Sequence, residues 1–281
     1  MTMTTGWSIA PQTAAEGGRI VVGYDGSAAS SNAVDWAALE AAARGWPLWM
    51  IASSTQHSAA VPDAVRRIAE RLRGNLGISV TTTERASTEP LTEGVTTDDL
   101  FVLGPSPPNS ASPSLQRSVP PTASRRSPCP VVMVRGSFTR RIRRILLGVD
   151  GSSAAEAAIE WACTEAMTHD AELLVTHVGE PGAPSEDPDP VLGDALDKCQ
   201  RRIGPAAVEL SAQGSPRTLL LGLSRDRDLV VVGSRGRSGF KTALFGSVAM
   251  TLADHSFCPV VITHPQAKRD REEHPYDSNG V

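Results

Sequence analysis

No apolar run in the 281-residue chain approaches the roughly 18 to 20 residues that a membrane-spanning helix needs. The first residues, MTMTTGWSIAPQTAAEGG, hold neither a basic start nor an apolar signal core. The expectation is a cytoplasmic protein with no membrane partner. An excess of one charge is also missing, since 27 Lys and Arg stand against 31 Asp and Glu for a net charge of −4. Nothing in that total favours nucleic acid, whereas small neutral or anionic ligands stay open. The four cysteines, Cys129, Cys163, Cys199 and Cys258, are spaced 34, 36 and 59 apart. That fits no zinc pattern and no C-x-x-C pair, and points to buried thiols in a reducing compartment. His57, His169, His177, His255, His264 and His274 show no H-x-x-x-H or H-E-x-x-H spacing, so no catalytic metal is expected. There is no G-x-S-x-G elbow either, which leaves a hydrolase little support. The composition, 40% hydrophobic and 21% charged, excludes disordered, collagen-like and coiled-coil chains.

What is present is written twice. Ile20 to Ser27 reads IVVGYDGS and Ile145 to Ser152 reads ILLGVDGS, 125 residues later, with Trp36 matching Trp161 and Glu40 matching Glu165. Asp99-Leu-Phe-Val-Leu-Gly104 matches Asp228-Leu-Val-Val-Val-Gly233, and Cys129-Pro-Val-Val matches Cys258-Pro-Val-Val, both at an offset of 129. Two copies of one domain therefore fill the chain, over residues 18–135 and 143–265. Residues 136–142 (GSFTRRI) read as a short polar tether that lets the copies pack closely, and residues 1–17 and 266–281 as mobile ends of low apolar content.

In both copies short β-branched runs alternate with helical patterns, the signature of βαβ units and a parallel sheet covered on both faces. The fold class is α/β, with two tandem domains. In the second copy strands are expected at 145–149, 172–178, 206–210, 229–232 and 260–263, with four helices. Ser153 with Glu156 has the spacing of a capping box, and Leu192, Ala195, Leu196, Cys199 and Ile203 share one helical face, as do Val65, Ile68, Ala69 and Leu72 in the first copy. Ligands of such sheets bind beyond the carboxyl ends of the strands where strand order reverses. That selects the turn Gly148-Val-Asp150-Gly151-Ser152 and the loop beginning at Gly233.

The second of these loops reads GSRGRSGFKTALFGSVAMTLADHS from Gly233, with further glycines at 236, 239 and 246. Glycine suits a phosphate loop where the backbone must approach oxygen closely or take positive φ, and free N–H groups at a helix start donate to the anion. Gly246, Ser247 and Val248 precede a helical pattern, and Arg235, Arg237 and Lys241 add three cations. A plain structural turn fits the glycines equally well. The loop is not a Walker A motif, because Phe240 stands where glycine should precede Lys241, and Gly148-x-Asp150-Gly151 lacks the dinucleotide fingerprint. Asp150 fits a ligand contact or a helix cap, His177 a structural bond or a ligand contact, and Trp36 and Trp161 core or interface packing or ligand stacking.

The paired D-G-S turns, with Gly233-Ser-Arg-Gly236, nine intervening residues, Gly246-Ser247 and the closing CPVVI, resemble the universal stress protein family, in particular its tandem actinobacterial members. The resemblance covers some 240 residues. It implies Rossmann-like sheets of order 3-2-1-4-5, ATP (with Mg2+ beside its phosphates) above the first and fourth strands, and a stress or dormancy regulator rather than an enzyme. Carried onto this chain, Asp150 meets ribose or a phosphate-bound metal, while Gly148 and Val178 frame adenine. Gly233, Gly236, Arg237, Ser238 and Gly239 wrap ribose and phosphates, and Gly246, Ser247 and Val248 receive the phosphate tail. The resemblance also implies that 131–134 and 260–263 pair antiparallel, making each chain a pseudo-dimer and leaving a homodimer and an unidentified protein partner open. The first copy departs from the pattern, with Pro107 and Arg117 where Gly236 and Gly246 stand, so only the second is expected to bind nucleotide. A slow ATPase or phosphotransferase and a nucleotide-independent scaffold are the alternatives.

Overall fold

The computed structural model describes residues 18–53, 83–85, 94–105, 127–135, 141–179, 189–236 and 246–265. The first half contributes β1 (Ile20–Tyr24), α1 (Ala28–Arg44), β2 (Leu48–Ser53), β3 (Thr83–Arg85), β4 (Leu100–Leu103) and β5 (Val131–Met133). The second contributes β6 (Arg144–Val149), α2 (Ser153–His169), β7 (Glu172–Gly179), α3 (Pro190–Ile203), β8 (Ala207–Gln213), α4 (Pro216–Leu223), β9 (Leu229–Gly233), α5 (Ser247–His255) and β10 (Val260–Thr263). The five expected strands of the second half are all present. The helix expected around Val65 to Leu72 lies outside the described residues, as do the two chain ends.

All ten strands join one sheet, in the order β3-β2-β1-β4-β5-β10-β9-β6-β7-β8. Each half has the 3-2-1-4-5 order with parallel neighbours, and the halves meet where β5 runs antiparallel to β10, with Val132 opposite Val261. This pairing follows from strands that are apolar on both faces: every residue of β1, β4, β5 and β10 is buried. An edge made of such residues must be covered, and here each half covers the other's. Across one face α1, α2 and α3 bury Trp36, Ile159 and Leu192 with Val22, Leu147 and Val261 of the strands. On the opposite face α4 and α5 set Leu220 and Leu252 against Leu146, Val230 and Val260. Ile142, the end of the short tether, is itself buried.

The bases of the two halves of the sheet are pinned alike. Asp99 accepts from the Arg19 backbone N–H at 2.9 Å and pairs with its guanidinium at 2.7 Å, and Asp228 accepts from the N–H groups of Arg143 and Arg144, both at 3.0 Å. All four cysteines are buried free thiols. Among the described residues no helix is long and apolar enough to cross a membrane.

Candidate functional site

The carboxyl end of β6 turns sharply at Asp150-Gly151-Ser152, where Gly151 has a φ of 73°. Asp150 Oδ1 accepts from the Ser152 N–H at 3.1 Å and braces the turn. Asp150 is therefore not the helix cap, and neither is Ser153. Ser152 caps α2 by accepting from the Ala155 N–H at 3.2 Å, and Glu156, one position too far for a capping box, reaches Lys198 instead. The Ser152 hydroxyl also donates to the Arg235 carbonyl at 3.0 Å, which ties this turn to the loop after β9.

That second loop folds back on itself. Ser234 donates its N–H to the Thr263 carbonyl at 2.7 Å, and its own carbonyl accepts from the Gly246 N–H at 2.8 Å. The Thr263 hydroxyl donates to the Ala154 carbonyl at 3.1 Å, fastening β10 to the start of α2. Three segments distant in sequence thus converge: the Asp150 turn, residues 234–236, and the start of α5. Arg237, Ser238, Gly239 and Lys241 lie outside the described residues.

Each glycine here has a different reason. A Cβ on Gly233 would lie 2.8 Å from the Ala154 backbone, so this glycine lets β9 and α2 pack, as Gly104 does against Ala29 in the first half. On Gly148 it would crowd Leu220 and Val232 at 3.0 and 3.1 Å. On Gly236 it would fall 2.4 Å from Asp150 Oδ2, which places the carboxylate directly over that backbone. Gly246 has no such close neighbour among the described residues, where the nearest atoms lie 3.7 Å away, and its φ is −61°. None of Gly233, Gly236 and Gly246 has a positive φ, which corrects that part of the expected reason for them.

Gly246 is the N-cap residue of α5, and having no side chain it offers the helix no cap bond. Among the described residues no acceptor meets the first N–H groups of α5, including those of Ser247 and Val248, and the helix dipole favours an anionic one. Ser247 and Arg235 are exposed, while Val248 packs partly against the apolar layer.

At the end of β7, Val178 is half-buried and pairs with Ala212 of β8. His177, opposite Val149 of β6, bonds through Nδ1 to Asp189 Oδ2, the structural reading of the two. Asp189 caps α3 through its other oxygen, accepting from Val191 and Leu192 at 3.0 and 3.1 Å. Burial resists ionisation of Asp189, but the bonds from His177 and from the helix outweigh it and hold its carboxyl below the ordinary range. Trp36 is buried, and Trp161 faces α1 with the Arg44 guanidinium 5.4 Å from its ring, so both indoles serve packing. The sequence reading singled out neither Ser152 nor Thr263. Ser152 was visible as the last letter of the repeated D-G-S turn, matched by Ser27, which caps α1 in the same way.

The sequence model of the universal stress protein family matches residues 141–264. A universal stress protein of Mycobacterium tuberculosis strain H37Rv is 28% identical over 282 residues, covering 86% of this chain and 95% of that protein. One from Mycolicibacterium smegmatis is 29% identical over 296 residues, covering 91% and 99%. Among solved structures, a universal stress protein from Archaeoglobus fulgidus has a TM-score of 0.64 at 18% identity, covering 88% of this chain and 96% of that one. A functionally unknown protein from Pseudomonas aeruginosa has a TM-score of 0.67 at 21% identity, covering 89% and 94%. These two likenesses establish the fold.

Proposed function

We propose that this chain, which belongs to the universal stress protein family, is an ATP-binding regulator with one nucleotide site per chain, in its second half. The observation that carries this reading is Gly246. Among the described residues neither packing nor backbone geometry demands glycine there, yet a side chain would stand at the open start of α5. The remaining demand is an anion close to the backbone, and a phosphate on the N–H groups of Ser247 and Val248 fits it. The cations of Arg235, Arg237 and Lys241 suit a polyphosphate. Asp150 Oδ2, above Gly236, lies where a ribose hydroxyl or phosphate-bound Mg2+ would meet it, with the phosphates supplying the other oxygens. Gly148 and Val178 at the strand ends would frame the base.

In this reading the protein binds its nucleotide rather than turning it over: among the described residues of the crevice no side chain stands as a general base, and Asp150 Oδ1 already braces its own turn. Occupied and empty states would differ in how the chain engages a protein partner in stress or dormancy. Equilibrium dialysis of labelled ATP-Mg2+ against nucleotide-free protein tests this. Retention of one ATP per chain, lost in Gly246→Arg, is expected; equal retention by both proteins would reject the site. Steady ADP release over hours, abolished by Asp150→Ala, would favour the ATPase.

A further inference from the structure

Away from the crevice, four ionisable side chains are buried where the two halves touch. Glu40 and Arg44 lie one turn apart on α1, and Glu165 and His169 occupy the equivalent positions on α2. The bonds cross between the halves. Arg44 binds Glu40 of its own helix through Nε and Glu165 of the other half through Nη2. His169 Nε2 lies 3.0 Å from Glu40 Oε2 and 3.4 Å from Glu165 Oε1. Glu40 therefore gives one oxygen to the guanidinium and the other to the imidazole, while Glu165 gives Oε2 to the guanidinium and holds Oε1 at ion-pair distance from the imidazole without a hydrogen bond. All four side chains are at most 8% exposed, and Trp46 and Trp161 flank Arg44 at 5.0 and 5.4 Å.

The charge count decides what such a ring needs. With a neutral imidazole, two buried carboxylates face one guanidinium and a net negative charge stays out of water; with an imidazolium the ring is neutral. Glu40, Glu165 and His169 also bring three metal-ligating atoms within 4.8 Å of one another, but Arg44 already supplies a cation between the carboxylates. A proton completes the set. We propose that protonated His169 is the closing charge of a clasp between the two halves, and that the hold of α2 on α1 weakens when His169 loses its proton.

The groups around His169 are Glu165 of its own helix, Glu40 of α1 and, bonded to both carboxylates, Arg44. Burial opposes charging of His169, yet the neighbouring carboxylates of Glu165 and Glu40 prevail and hold the imidazole at about 9. Burial, then the charge of Glu40, pushes Glu165 up to about 7. Burial also resists ionisation of Glu40, but His169 and Arg44 overcome it and keep this carboxyl low. For His169 the folded value lies above the ordinary 6.5, so its stabilisation is complete below pH 6.5 and is lost as pH rises through about 9. Glu165, also raised, acts in the same direction between pH 4.5 and about 7.

The natural control is His169→Arg, which copies the residue at the equivalent position of the first half and closes the ring with a permanent charge. Between pH 7 and pH 10 the melting temperature of the wild-type chain should fall by about 5 °C more than that of His169→Arg; parallel curves would overturn the clasp. Should arginine fit the site poorly, the imidazole of His169 can be titrated by NMR in the intact chain, with His169→Gln assigning its signal. A midpoint well above 6.5, lowered by about one pH unit or more in Glu40→Gln of the other half, is expected. A midpoint at or below 6.5, or one indifferent to Glu40→Gln, would contradict it.

Discussion

The two halves of the chain share a sheet order and a first turn, and part company at the loop after the fourth strand. Asp25 and Asp150 brace the same turn, at 3.0 and 3.1 Å from the N–H of Ser27 and Ser152. Ser27 and Ser152 cap the equivalent helices α1 and α2, and Gly104 and Gly233 admit those helices to the sheet in the same manner. These features recur because the fold needs them. Gly236 and Gly246 do not recur, since Pro107 and Arg117 replace them. The first half thus keeps Gly104, which packing demands, and lacks both loop glycines, of which Gly236 lies against Asp150 and Gly246 has no packing reason among the described residues. The comparison separates two meanings of one residue type, and it is the ground on which a nucleotide site is proposed for the second half alone.

The sharpest way to break this separation is Gly246→Arg, which should weaken ATP binding by about 100-fold while leaving the melting temperature within about 2 °C. A large loss of stability would show that the fold required the glycine after all. Next in size, Gly104→Ala and Gly233→Ala should each cost about 1–3 kcal/mol in denaturant unfolding, because the new Cβ meets helix backbone that cannot yield. A marked difference between the two would mean that their roles are not shared. Asp150→Ala should weaken ATP binding about 10-fold, roughly 1.4 kcal/mol, whereas Asp25→Ala should leave affinity unchanged. The smallest effect belongs to the caps: Ser27→Ala should cost about 1 kcal/mol, and Ser152→Ala somewhat more, because it also loses the bond to the Arg235 carbonyl.

Much of the architecture was legible because the repeat is long and its strands are apolar on both faces. The offset of 125 to 129 residues aligned the first turn, the fourth strand and the pairing strand, and the structure puts strands at each expected place in the second half. The cap of α2 was misplaced by one residue, since adjacent Ser152 and Ser153 both suit the position and only the turn before them selects the first. The glycine loop was found by spacing, but the reason for each glycine was not. Whether Gly233 faces a helix or a ligand depends on Ala154, which belongs to another element. Least legible was the interdomain ring. The repeat matches Glu40 with Glu165, but Arg44 and His169 differ in type, and their partners lie across the junction of the halves. A pattern read along one chain does not reveal pairs formed by packing two copies together.

The central claim, one nucleotide site per chain, is tested most directly by calorimetric titration of ATP-Mg2+ into the full chain freed of co-purified nucleotide. A stoichiometry of one, abolished by Gly246→Arg, is the predicted result. Two sites per chain would contradict the division between the halves, and no binding in nucleotide-free protein would leave Gly236 and Gly246 without a ligand and make the paired sheets a scaffold.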